Sequence, residues 1–127
     1  MNERLSALKQ KLKKEFNVPE VMLDKKKIET EDILNSVLTI TNFDLCSFVD
    51  PDTKEPFVAP VFNFEEFPDC YYRGGQSLKK FAETIVDAYD GDIDTAVLEV
   101  AEEKIRIRLI KLRTRSGNDF YNVQVLD

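Results

Sequence analysis

The chain has 127 residues with no histidine, no tryptophan, two cysteines and four glycines. Without histidine, the Ser-His-Asp and Cys-His nucleophile arrangements, histidine-based zinc sites and histidine general acid-base catalysis are all excluded. Much of hydrolase chemistry goes with that one residue type. Cys46 and Cys70 stand outside any CxxC spacing, so neither a disulfide framework nor a zinc site is supported, and two buried reduced thiols are expected. No apolar run approaches the length that crosses a bilayer. The opening MNERLSALKQKLKKEF carries charge from its third residue and has no apolar signal core, so neither export nor membrane insertion is expected and the protein is placed in the cytoplasm.

What is present suits one folded domain. Apolar residues make up 43% and charged residues 33%, and a chain of this size can bury roughly two-thirds of its unfolded surface. Residues 1–127 are therefore expected to form a single α+β domain: an N-terminal helix, a small antiparallel sheet, two or three central helices and a C-terminal β-hairpin that joins the sheet.

Charge is distributed unevenly. The formal net charge is −6, but residues 1–27 carry +4, residues 28–103 carry −14 and residues 104–127 carry +4. Such asymmetry bears on partners and association, not on fold. Either the basic ends fold back over the acidic centre, or an acidic face stays exposed and meets a basic partner.

Leu5, Leu8, Leu12 and Phe16 recur at helical spacing among Arg4, Lys9, Lys11, Lys13 and Lys14, giving a basic amphipathic helix that Pro19 stops. Such a helix can lie on a membrane or bind a partner, but packing on the domain's own core is expected. A strand is expected near residues 36–41. LCSFV and FVAPVF flank DPDTKEP, whose Asp-Pro-Asp chemistry suits a hairpin turn, and Pro60 argues for an edge position. In NFEEFPDCYYRGGQS, Asn63 and Glu66 have the form of a capping box opening a short helix with Phe64, Phe67 and Tyr71 on its apolar side, which Gly74 and Gly75 end. Ser77 then caps a helix striped by Leu78, Phe81, Ala82, Ile85 and Tyr89, which stops at Gly91, and Asp92 or Asp94 starts another.

In KIRIRLIKLRTR the apolar residues switch from odd to even positions between Leu109 and Ile110, and the cations switch the opposite way. A β-bulge there would place Lys104, Arg106, Arg108, Lys111, Arg113 and Arg115 on one face of a strand whose partner runs through DFYNVQVLD. Charges two residues apart lie about 6.6 Å from one another along a strand, a spacing that could follow a phosphate backbone. The sequence pI of about 4.8 and the lack of a recognisable nucleic-acid motif favour internal pairing or an acidic protein partner over nucleic acid.

Several patterns imitate chemistry. Ser77-x-x-Lys80 has the spacing of a serine-lysine nucleophile, but the SDN and KTG elements are missing. With Asp90, Asp92 and Asp94 at the first, third and fifth positions of a calcium loop, Thr95 and Ala101 would stand where glycine and glutamate are required. RGG at residues 73–75 lacks the GK[ST] of a phosphate loop. No cofactor or metal site and no catalytic residue is expected, and the protein is not expected to be an enzyme.

Residues 60–89, PVFNFEEFPDCYYRGGQSLKKFAETIVDAY, resemble an uncharacterised domain family common in gut-dwelling anaerobic bacteria. The resemblance rests on Pro60, Phe62, Tyr71, Gly74, Ser77, Leu78, Ile85 and Tyr89, extends over residues 18–115, and includes KIRIRLIKL as the family's basic-hydrophobic strand. The segment TNFDLCSFVDPDTKEPFVA is longer than the family's. The family brings no catalytic residues and implies a bacterial or mobile-element cytosolic protein. Taken with the charge distribution, the expected function is a small acidic interaction protein, such as a phage-type anti-defence, anti-CRISPR-like inhibitor that mimics nucleic acid towards a basic nucleic-acid-handling protein. Its contacts would be Glu65, Glu66, Asp69, Asp87, Asp90, Asp92 and Asp94. The alternative is a nucleic-acid-binding module using the basic ribbon.

Overall fold

The structure is a computed structural model that describes residues 4, 5, 7–9, 12 and 18–126. Strands β1 (Lys26–Lys27), β2 (Leu38–Val49), β3 (Pro56–Phe64), β4 (Phe67–Arg73), β5 (Arg106–Arg113) and β6 (Asp119–Leu126) form one curled sheet, a half-barrel, in the order β1-β4-β3-β2-β5-β6. Helices α1 (Thr30–Ile33), α2 (Gln76–Ala88) and α3 (Ile93–Glu103) complete an α+β fold. The sheet is mixed where an antiparallel one was expected, because β1 runs parallel to β4 through Lys26↔Cys70 and Lys27↔Tyr71.

One face of the sheet carries the main core. Leu38 and Ile40 point into it, one extra residue then shifts the register of β2 against β3 between Ile40 and Asn42, and Phe43 points inward again. An inserted residue resets the two-residue alternation of a strand. Phe62 is the hub of the aromatic packing, with ring centroids 5.7 Å from Phe43, 6.1 Å from Phe64 and 6.2 Å from Phe81 of α2. Burying an aromatic of this size contributes about 1.5–3 kcal/mol. On the opposite face Val21, Cys46 and Val61 form a smaller cluster under the turn at residues 19–24. Asn63, 7% exposed, serves that turn by donating Nδ2 to the Val21 carbonyl at 2.7 Å.

The β2–β3 hairpin forms where DPDTKEP predicts it, with the Asp50 carboxylate accepting from the amides of Asp52 and Thr53. Pro60 is not on an edge strand as expected: β3 lies between β4 and β2, and Pro60, opposite Leu45, stands just beyond the last β3–β4 pair, Val61↔Arg73, with its carbonyl accepting from the Gly74 amide.

Four further expectations are corrected. NFEEFPDCYYR does not form a helix: Glu65 and Glu66 make the turn of a β3–β4 hairpin, with Phe64 and Phe67 paired across it. Pro68 would break a helix, and here it falls within a register irregularity where a missing ladder donor is tolerated. Ser77 does not cap α2. Gly75 is the N-cap, and the Ser77 hydroxyl donates to the Tyr121 carbonyl at 3.0 Å, fastening α2 to β6. Nor do Leu5, Leu8 and Leu12 pack on the core: these helical residues are 62%, 50% and 46% exposed. Phe16, Lys11, Lys13 and Lys14 lie outside the described residues. Finally, Cys46 is buried but Cys70 is partly exposed; both are free.

Candidate interaction site

The expected acidic contacts fall into two groups on different elements. Glu65 and Glu66 form the β3–β4 turn and Asp69 lies on β4, whereas Asp87, Asp90, Asp92 and Asp94 occupy the corner between α2 and α3. All seven residues are exposed, and among the described residues no ion pair involves any of them.

The corner is built by a helix stop followed at once by a helix start. Asp90 and Gly91 both take left-handed backbone, with φ of 56° and 85°, and the Gly91 amide donates back to the Val86 carbonyl at 3.0 Å. A side chain is costly there, which is why the residue at the sharper φ is glycine. Asp92 caps α3, accepting from the Thr95 amide at 3.2 Å and the Thr95 hydroxyl at 2.7 Å. The hydroxyl bond, then the amide bond, hold its carboxyl below the usual carboxylate value. Asp87, Asp90 and Asp94 thus project from a backbone that the turn and the cap hold in place.

In the other group Glu66 belongs to the fold. Its carboxylate accepts from the Thr39 amide at 2.7 Å and the Thr39 hydroxyl at 2.8 Å, clamping the β3–β4 turn to the start of β2. Nothing local in the sequence signals that bond, because the partners are 27 residues apart.

The six cations do not share one face. β5 pairs with β6 without interruption from Arg106↔Leu126 to Arg113↔Asp119, so there is no bulge at Leu109 and Ile110. Ile107 and Leu109 point into the core, and Lys111 and Arg113 continue that same face beyond the core's end. No reset is needed, because this end of the hairpin is exposed and the alternation can pass from apolar to charged. Lys111 lies 3.6 Å from Asp119 and 3.8 Å from Glu31, and Arg113 lies 3.3 Å from Asp119. The Tyr121 hydroxyl donates to Glu31 at 2.6 Å, and that bond is the main cause of its raised pKa. Arg106 and Arg108 share the other face with Ile110 and Leu112. Lys104 precedes the strand as the left-handed C-cap of α3, and Arg115 lies in the turn.

Two concavities flank these elements. A cavity of about 640 Å³ opens between the start of α2, β4 and β6. Two pairs of its polar groups are bonded to one another, with the Thr30 and Tyr72 hydroxyls 2.8 Å apart and the Ser77 hydroxyl donating to the Tyr121 carbonyl. Burial pushes the Tyr72 phenol up, so it stays protonated at neutral pH. A groove of about 350 Å³ runs between β2 and α3, with Phe43 and Val97 at its floor and Glu20, Asp44 and Asp94 around it. The groove joins segments far apart in the chain, and so escaped sequence reasoning. Among the described residues no three acidic or cysteine side chains gather as metal ligands, and no helix is long and apolar enough to cross a membrane.

These features define an α+β domain with a half-barrel sheet, an acidic helix corner and a basic hairpin in which Lys111 and Arg113 pair with Asp119 and Glu31. Compared with protein-family models, curated proteins and solved structures, the chain matches none.

Proposed function

We propose that the protein is a small non-enzymatic interaction protein that sets its acidic α2–α3 corner against the cationic surface of a nucleic-acid-handling partner. Its carboxylates stand in for phosphates, as in a phage or mobile-element inhibitor of the anti-defence, anti-CRISPR-like kind acting in the cytoplasm. The bacterial setting implied by the family resemblance belongs to this reading.

The observation that carries it is the state of the corner: Asp87, Asp90 and Asp94 are exposed on a fixed backbone and form no ion pair among the described residues. The pairing of the ribbon supports the same reading, since Lys111 and Arg113 meet Asp119 and Glu31 instead of the corner. An exposed cluster of one sign steers a partner of the other sign and sets orientation.

A fluorescence-anisotropy titration with DNA and with RNA at several salt concentrations tests this against the ribbon alternative. Mimicry predicts no saturable binding. Tight binding with a steep salt slope would overturn it, because that slope counts neutralised phosphates.

A further inference from the structure

We propose that the cavity between α2, β4 and β6 is a binding site for a small, uncharged, largely apolar molecule that carries one hydrogen-bond-accepting oxygen. It opens where the sheet does not close: β6 is the last strand at one end, and at the other β4 has only the two-residue β1 beyond it. The mouth of a barrel is a preferred place for a ligand, and a volume of about 640 Å³ falls within the range of small-molecule sites.

The core itself makes the floor. Tyr72, Leu78 and Leu109 are 4%, 3% and 1% exposed and line the cavity with the half-buried Val123, while Phe120, 41% exposed, is an apolar wall still open to water. A molecule seated there covers apolar surface, which supplies its affinity. Gly75 lines the cavity too, at φ −95°, a backbone that any residue adopts, and a Cβ there would meet no heavy atom within 4 Å. Neither conformation nor packing calls for glycine at this position, whereas bare backbone lets a ligand approach closely.

The polar groups select the ligand's chemistry. The Thr30 and Tyr72 hydroxyls hold two protons between them, and their mutual bond at 2.8 Å uses one. Neither oxygen has another partner among the described residues, so one proton is left to donate, and the raised pKa of Tyr72 keeps its phenol protonated at neutral pH. A ligand oxygen that accepts this proton makes a bond that the protein leaves unmade. Charge is disfavoured. Of the residues lining the cavity only Arg73 is charged, and its guanidinium lies 5.0 Å from the ring centroid of Phe48, in the cluster on the sheet's opposite face. A carboxylate or phosphate would enter without a counter-ion, at a desolvation cost that a ketone, ester or ether avoids. The site lies at the start of α2 and the acidic corner at its end, and the one does not depend on the function proposed for the other.

Fluorescence titration of the full chain with prodan, an uncharged naphthyl ketone whose emission moves to the blue in apolar surroundings, tests the proposal. The wild type is expected to bind it saturably with a blue shift and a dissociation constant on the order of 10–100 μM. Tyr72→Phe, which removes only the hydroxyl, is expected to weaken binding about fivefold. Gly75→Leu, which replaces bare backbone by a side chain, is expected to weaken it about tenfold, and both variants are expected to keep the wild-type circular dichroism spectrum. Leu98→Ser, at the 66% exposed leucine of α3, is expected to bind as the wild type does. Anilinonaphthalene sulfonate, of similar bulk but charged, is expected to bind about tenfold more weakly than prodan. Absence of saturable prodan binding, or unchanged affinity in either cavity variant, would overturn the proposal. So would loss of binding in Leu98→Ser, which would mark an adventitious additive only, or tighter binding of the sulfonate.

Discussion

Replacing Glu66 by alanine separates an acid that serves the fold from acids free to serve a partner. Glu66 gives one oxygen to the Thr39 amide and the other to its hydroxyl, and Thr39 is only 6% exposed. Truncation leaves two donors at a buried residue without an acceptor, at about 1–3 kcal/mol each. The Glu66 side of the site is open to water and the hydroxyl can turn, so the expected net loss is about 2–4 kcal/mol. Against a typical total of about 5–15 kcal/mol, this is a large share of the stability. For a domain of this length it lowers the melting temperature by roughly 6–15 °C. Glu66→Gln keeps one acceptor and should lose about half as much. Urea unfolding followed by circular dichroism gives both values. A loss below about 0.5 kcal/mol for Glu66→Ala, the level of an ordinary surface change, would refute the clamp.

Three further outcomes follow from particular contacts. Gly74→Ala would bring a Cβ within 2.7 Å of the Leu78 Cβ and Cδ1, so overpacking of about 1–3 kcal/mol is expected in urea unfolding. Asp92 has a folded pKa below its unfolded one, so its cap contributes stability above the unfolded value of about 3.9, and that contribution is lost as pH falls through the folded value. The melting-temperature gap between wild type and Asp92→Ala should therefore be full at pH 7 and shrink below about pH 4. Cys46 is held as a thiol, its pKa pushed up to about 12 by burial and then by the Asp44 charge. Mass spectrometry after iodoacetamide treatment at pH 8 should find Cys70 alkylated first and Cys46 only on unfolding, since thiolate fraction and access set the rate.

Local patterns were legible in the sequence wherever one segment decides its own structure. The stripe from Leu78 to Tyr89, the stop at Gly91 and the helix start at Asp92 or Asp94 appear as α2, a left-handed turn and α3, with Asp92 as the cap. DPDTKEP appears as a hairpin turn. Failure came where a distant partner decides. Asn63 and Glu66 have capping-box spacing, but Asn63 bonds to Val21 and Glu66 to Thr39, so the same two residues hold a β-hairpin. The extra residue that resets alternation is in β2, after Ile40, and not in β5, because the core ends at Leu109 and leaves Lys111 and Arg113 nothing apolar to avoid. The charge blocks were legible, but their pairing was not. That Lys111 meets Glu31, 80 positions earlier, depends on α1 packing near the β5–β6 hairpin.

The most direct test of the acidic corner uses DNA as the competitor. Bacterial proteins retained on DNA-cellulose are challenged at moderate salt with the wild-type chain and with a variant carrying Asp87→Asn, Asp90→Asn and Asp94→Asn. If the corner takes the place of phosphates, the wild type releases a defined protein from the resin and the variant, equally folded, does not. Equal release by both chains, or retention of the wild-type chain itself on the resin, would contradict the mimicry.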